Sequence, residues 1–231
     1  MRPRVVAAWG VHLLTASGAP AAVLALLAIH RGDVRTAFWL MAYTLAVDAI
    51  DGTLARAVGV RAVLPWVDGS RLDDVVDYAT YVIVPALFLV EIPVLPPAAA
   101  VWVAALVTVA SGYGFAHTQA KTADHFFTGF PSYWNVVVFY VYALRWPPAL
   151  NAVVVIVLAI AVFVPLRYVY PSRTPTLRGL TVGLGLVWGA ALVWVLIHLD
   201  RAPRGLVVAS LLYPLYYFAL SVVLHVRARL S

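Results

Sequence analysis

Apolar sequence of bilayer length recurs down this chain, and nothing else limits its fold so severely. Crossing ~30 Å of hydrocarbon takes roughly 20 apolar residues in a helix. Stretches near 6–29, 35–57, 70–92, 97–117, 132–146, 148–169, 177–199 and 205–227 meet or approach that length. The fifth is short, and the Trp146-Pro147-Pro148 step leaves its boundary with the sixth open. With 64% hydrophobic and 11% charged residues, the 231-residue chain is far from soluble averages. The expectation is an all-α polytopic membrane bundle of about eight transmembrane helices. It forms a single domain over 1–231, because no repeat, low-complexity tract or long linker interrupts it. There is no Cys, so disulfides and thiolate metal ligands are excluded. The formal charge of +6 is scattered without a basic run, which argues against nucleic acid. The Met-Arg-Pro-Arg start leads into apolar sequence without a small-residue cleavage signal, so the first span is expected to be retained.

One stretch defies this composition. From Asp48-Ala-Ile-Asp51-Gly52-Thr-Leu-Ala55-Arg56, across twelve residues, to Gly69-Ser-Arg-Leu-Asp73-Asp-Val-Val-Asp77, it holds six of the ten acidic residues. A carboxylate at the bilayer centre costs roughly 2.5–3.5 kcal/mol on insertion scales, so such a cluster persists where cations or water compensate it. Asp48 and Asp51 are i,i+3 and Asp73 and Asp77 are i,i+4, so each pair shares one helix face. Two such helix ends brought together converge four carboxylates, the oxygen donor set of hard divalent cations that keep positions open for phosphate. Gly52 and Gly69 allow close approach to the backbone. Arg56, about one turn beyond Gly52, can fork onto phosphate. The bland alternative is carboxylates that snorkel or pair with Arg56, Arg61 and Arg71. It suits Asp68 and Asp74, which lie off the paired faces, but accounts for neither the glycines nor the facing pairs.

The pattern resembles the signature of the CDP-alcohol phosphotransferases, integral membrane enzymes that move a phosphoalcohol from a CDP-linked donor to a hydroxyl and release CMP. The twelve-residue spacer between Arg56 and Gly69 is longer than in most of that family and is similar to the bacterial phosphatidylcholine synthase branch. Lys121-Thr-Ala-Asp-His-Phe-Phe-Thr-Gly-Phe-Pro-Ser-Tyr-Trp-Asn135 also resembles that branch, and the likeness covers nearly the whole chain. It implies transfer of the phosphatidyl group of CDP-diacylglycerol to choline. Asp48, Asp51, Asp73 and Asp77 then hold Mn2+ or Mg2+, as two ions, and Asp77 acts as base. Gly52, Ala55, Arg56 and Gly69 contact the nucleotide, and Lys121 a phosphate. The resemblance is also the reason to expect a homodimer.

A quaternary ammonium offers no hydrogen-bond donor, so it is read by aromatic faces and carboxylates. Tyr78 and Tyr81 follow the Asp73/Asp77 face, while Tyr113, Tyr133 and Trp134 flank a polar stretch containing His117, Lys121, Asp124 and His125. These make Tyr78, Tyr81, Tyr113, Asp124, Tyr133 and Trp134 the choline-pocket candidates; an interfacial aromatic belt is the competing reading. Thr15-Ala-Ser-Gly18 in the first span fits close helix packing, with a hydroxyl near the nucleotide as the alternative. His198, His225 and the last two spans are expected to be scaffold. Charge places the N-terminus inside: Arg2, Arg4, Arg56, Arg61, Arg71, Lys121, Arg167, Arg173, Arg178, Arg227 and Arg229 fall at one set of ends. Arg31, Arg35, Arg145, Arg201 and Arg204 fall at the other. Both termini and the Asp cluster are thus expected on the cytoplasmic side of a bacterial inner membrane. Two rivals stay open: another acceptor (glycerol 3-phosphate, serine or inositol), and a cation or proton pathway in a transporter.

Overall fold

The computed structural model describes residues 3–118, 122, 126–171 and 173–230. They form α1 (Pro3–Ala16), α2 (Gly18–His30), α3 (Val34–Val58), α4 (Val60–Val63) and α5 (Gly69–Asp77). A π-helical segment (Tyr78–Ile83) continues α5 into α6 (Val84–Glu91), followed by α7 (Pro97–Ala116), β1 (Phe126–Thr128), α8 (Trp134–Ala143) and α9 (Pro148–Ala161). Then come β2 (Arg167–Val169), α10 (Arg178–Ile197), α11 (Arg204–Ser210) and α12 (Leu212–Leu230). The chain is an all-α membrane protein, and its outer surface says so: Trp102 is 76% and Leu186 71% exposed, faces that only lipid tolerates.

Each expected apolar stretch is helical, but they are not equivalent. Among the described residues, Pro3–His30, Pro97–Ala116, Arg178–Ile197 and Arg204–Ala228 are long and apolar enough to cross a membrane by themselves. The 25-residue α3 and the run from α5 to α6 carry the polar cluster, and α8 and α9 are short. The sixth stretch stops earlier than expected. Its helix ends at Ala161, and residues 167–169 instead pair antiparallel with β1, Phe126 opposite Val169 and Thr128 opposite Arg167. This pairing joins segments far apart in sequence, so no local pattern announces it.

Helix ends follow their capping residues. Asp33 starts α3 by accepting from Thr36 N at 3.1 Å, and Gly59 ends it in the left-handed region (φ 71°), its N–H returning to Ala55 O at 3.0 Å. Asp68 starts α5 by accepting from Ser70 N and Arg71 N, and pairs with Arg71 at 3.2 Å. The long spacer therefore has a physical use. It contains α4, whose Val60 joins Leu64 in packing on Ala8 and Val11 of α1 and holds the two halves of the acidic motif at one end of the bundle. The main core lies elsewhere, around Phe38, Phe88, Phe139 and Val155, with the Phe38 ring 5.1 Å from Phe88 and 5.2 Å from Phe139.

The start of α2 meets α5 without room for a side chain. A Cβ on Gly18 would lie 2.5 Å from Val76 Cγ1, and Val76 is buried and β-branched, with little rotamer freedom to yield. Gly18→Ala is expected to destabilise the protein by about 1–3 kcal/mol, the usual penalty of overpacking. Thermal melting in detergent checks this; an unchanged midpoint would mean that the contact relaxes freely.

Candidate functional site

Helices α3 and α5 bring the carboxylates together. One oxygen each from Asp48, Asp73 and Asp77 lies within 4.8 Å of the others, and all three residues are half-buried. An all-oxygen donor set at this separation suits a hard divalent cation, so the residues fit such an ion. Asp51, expected as the fourth member, lines the same small cleft with Asp48, Asp73 and Asp77 but is only 5% exposed. Its Oδ2 accepts a hydrogen bond from Thr15 Oγ1 at 2.6 Å. The structure thus ties Asp51 to α1 and groups the other three.

The partners of these carboxylates come from unexpected places. Tyr81 donates its hydroxyl to Asp48 Oδ2 at 2.7 Å and is itself 4% exposed, so it orients that carboxylate. The π-helical segment directly after Asp77 sets where Tyr81 points: its wider turn rotates the residues following the motif relative to a continuing α-helix. The Thr15-Ala-Ser-Gly18 stretch serves close packing at Gly18, while the Thr15 hydroxyl reaches the carboxylates.

Gly52 and Arg56 lie one turn apart on α3, and Gly69 is the first residue of α5. Arg56 is exposed and folds back on its own helix, its Nη2 donating to Thr53 Oγ1 at 3.0 Å, while a Cβ on Gly52 would lie 3.4 Å from Nη1. Ala55 is half-buried on the same helix. Gly69 opens α5 against α1, where a Cβ would come within 3.0 Å of His12 Cε1.

The acceptor-pocket candidates separate. Tyr81 and Tyr133 lie together, ring centroids 6.3 Å apart. Tyr78 instead donates to Thr108 O at 3.0 Å and meets Phe115 edge-on. Tyr113 is exposed and packs on Phe163 and His117. Trp134 is fully buried, its Nε1 donating to Ser111 Oγ at 2.7 Å. The side-chain contacts just described for these three run to α7 and its neighbours. Lys121 and Asp124 lie outside the described residues, as does His125. In the final helix, Tyr217 donates to Val169 O at 3.0 Å and stacks on Tyr168, tying α12 to β2. His225 does act structurally, its Nδ1 accepting from Arg167 N at 3.2 Å.

Lipid-facing helices enclosing a carboxylate cleft between α1, α3 and α5 define an integral membrane protein with an acidic, cation-competent site. No protein-family model matches the chain. Phosphatidylcholine synthase of Rhizobium meliloti is 34% identical over 226 residues, which cover 98% of this chain and 94% of that protein. The Pseudomonas aeruginosa phosphatidylcholine synthase is 39% identical over 181 residues, 78% of this chain and 76% of its own length. That of Legionella pneumophila is 48% identical over 168 residues, 72% of this chain and 66% of the Legionella protein, just under two thirds. The chain belongs to the phosphatidylcholine synthase family and is a membrane-embedded phosphatidyltransferase of phospholipid biosynthesis.

Proposed function

We propose that the chain transfers the phosphatidyl group of CDP-diacylglycerol to the hydroxyl of choline, giving phosphatidylcholine and CMP. The observation that carries this reading is the convergence of Asp48, Asp73 and Asp77 in a chain of this family, beside the tyrosines Tyr81 and Tyr133. Asp48, Asp51, Asp73 and Asp77 are the residues that hold Mn2+ or Mg2+, as two ions. When bound, the metal neutralises charge on the pyrophosphate and on the departing CMP.

The remaining roles belong to the chain. Asp77 takes the proton of the choline hydroxyl as that oxygen bonds to the phosphorus bearing diacylglycerol. The bond from this phosphorus to the bridging oxygen breaks, and CMP leaves with the electron pair. A hydroxyl is a poor nucleophile unless a positioned base removes its proton in the transition state. Gly52, Ala55, Arg56 and Gly69 receive the nucleotide, and Arg56, folded over Gly52, needs only a rotamer change to fork onto phosphate. Thr15 holds Asp51 away from solvent and Tyr81 holds Asp48, so that two carboxylates keep fixed orientations. Lys121 and Asp124 are assigned to phosphate and acceptor from the sequence alone. The enzyme is placed in a bacterial inner membrane with the termini and site facing the cytoplasm, where cytidine nucleotides are made, and as a homodimer.

The purified protein in detergent micelles, given CDP-diacylglycerol and Mn2+, is expected to release CMP with choline and not with serine, glycerol 3-phosphate or inositol. Release with another acceptor would keep the chemistry and replace the substrate. Folded protein silent with every acceptor would favour the transport reading.

A further inference from the structure

The end of the bundle opposite the acidic cleft holds a cavity of about 570 Å³, within the size range of small-molecule sites. Val34, which opens α3, and Glu91, which closes α6, both line it, so it lies roughly 20 Å from Asp48 and Asp77 by helical rise. Two opposite charges stand in its wall. Glu91 and Arg145 are both exposed, and among the described residues neither side chain makes a hydrogen bond or an ion pair, with the other or elsewhere. Arg145 is held in the left-handed region at φ 51°, a state that surrounding packing must impose on a non-glycine residue. Asn151, 1% exposed, braces the wall: its Nδ2 donates to Val94 O at 2.9 Å and to Trp146 O at 3.4 Å. Its Oδ1 is buried without a partner among the described residues, which is rare in a wall that binds nothing.

Such a wall selects its ligand. A lone cation is repelled by Arg145 and a lone anion by Glu91, whereas a zwitterion pairs both. Trp146, half-buried in the same wall, supplies an aromatic ring of the kind that attracts an ammonium. The surroundings say where the zwitterion comes from. The cavity sits at the ends of helices in a membrane bundle, the level at which headgroups lie. Helix α9 begins in the wall at Pro148 and leaves Leu150, Val153 and Val157 exposed, so lipid chains lie against the element that borders the cavity.

We propose that this cavity seats the headgroup of a zwitterionic phospholipid of the surrounding bilayer, its ammonium against Glu91 and its phosphate against Arg145. The site is separate from the acidic cleft and does not depend on which alcohol the enzyme accepts. A lipid held there joins the ends of α3, α6 and α8, so its binding raises the melting midpoint of the protein.

The test titrates the full-length protein in detergent micelles with phosphatidylethanolamine, which is neither the proposed substrate nor the proposed product, and with phosphatidylglycerol of the same acyl chains. Native mass spectrometry counts the retained lipid, and thermal melting follows in parallel. The wild type is expected to hold phosphatidylethanolamine more tightly than the anionic lipid and to melt higher with it. Glu91→Gln and Arg145→Asn should each weaken phosphatidylethanolamine by roughly 1.5- to 5-fold, what one exposed ion pair is worth. Asn tolerates the left-handed backbone, so the second variant removes the guanidinium without breaking the turn. Glu91→Lys should reverse the preference toward phosphatidylglycerol, a change that a merely structural Glu91 would not produce. Equal retention of the two lipids by the wild type, or retention that none of these variants changes, overturns the proposal. Free O-phosphoethanolamine should not displace the lipid at equal concentration; if it does, the ligand is a dissolved zwitterion and the lipid assignment falls.

Discussion

Asp77→Asn is expected to lower CMP release by at least about 10³-fold while the protein still inserts and folds. The size of the effect follows from the role. General-base assistance contributes roughly 10²- to 10⁴-fold, and Asn can neither accept the proton nor supply the charge that a bound cation needs. The fold should survive because Asp77 is the last residue of α5, half-buried, and Asn conserves its volume. The substitution also removes one of three negative charges crowded within 4.8 Å, so the metal-free protein should melt no lower than wild type. CMP release in micelles, with the melting midpoint recorded in parallel without metal, checks both halves. Turnover within about tenfold of wild type would remove Asp77 from the role of base.

Stripping divalent cations is expected to stop turnover completely and to lower the melting midpoint of the wild-type enzyme. Carboxylates 4.8 Å apart repel one another by roughly 3 kcal/mol per pair at an effective dielectric of about 20. Asp48, Asp73 and Asp77 therefore make the folded state respond to any cation that joins them. A ligand at about 100 times its Kd adds roughly 2.7 kcal/mol of stability. A chelator should thus abolish CMP release, Mn2+ or Mg2+ should restore it, and the midpoint should climb with metal concentration. In Asp73→Asn that climb should shrink, because the cluster has lost a ligand. Turnover that persists in chelator, together with a midpoint indifferent to Mn2+, would end the metal reading of the cluster.

The same geometry separates residues that hold the site from those that do chemistry in it. Thr15 and Tyr81 each hold one oxygen, Oδ2, of Asp51 and Asp48, and so orient carboxylates that line the cleft. Asp68 satisfies the first N–H groups of α5 and pairs with Arg71, so its place in the acidic stretch is structural, as its position off the paired faces implies. The twelve-residue spacer is a docking element: α4 packs on α1, and α1 also supplies Thr15.

The sequence by itself determined the helical membrane class, the positions of its apolar stretches, and the Asp pairs with their glycines. Each of these is a property of one element: a run of apolar length, or a spacing of three or four residues. What only the tertiary structure decided is which side chains meet. Asp51 turns to Thr15, 36 residues away, and Asp48 to Tyr81, 33 away. The strands at 126–128 and 167–169 find each other across more than one helix, and Tyr217 comes from the far end of the chain to bond Val169 O and stack on Tyr168. In a chain this rich in aromatics, 13% of residues, nothing local distinguishes Tyr217 from Tyr113, which faces outward. Helix spacing fixes a residue's face, but the neighbour that face meets is set by packing between elements distant in sequence, and that packing created the site.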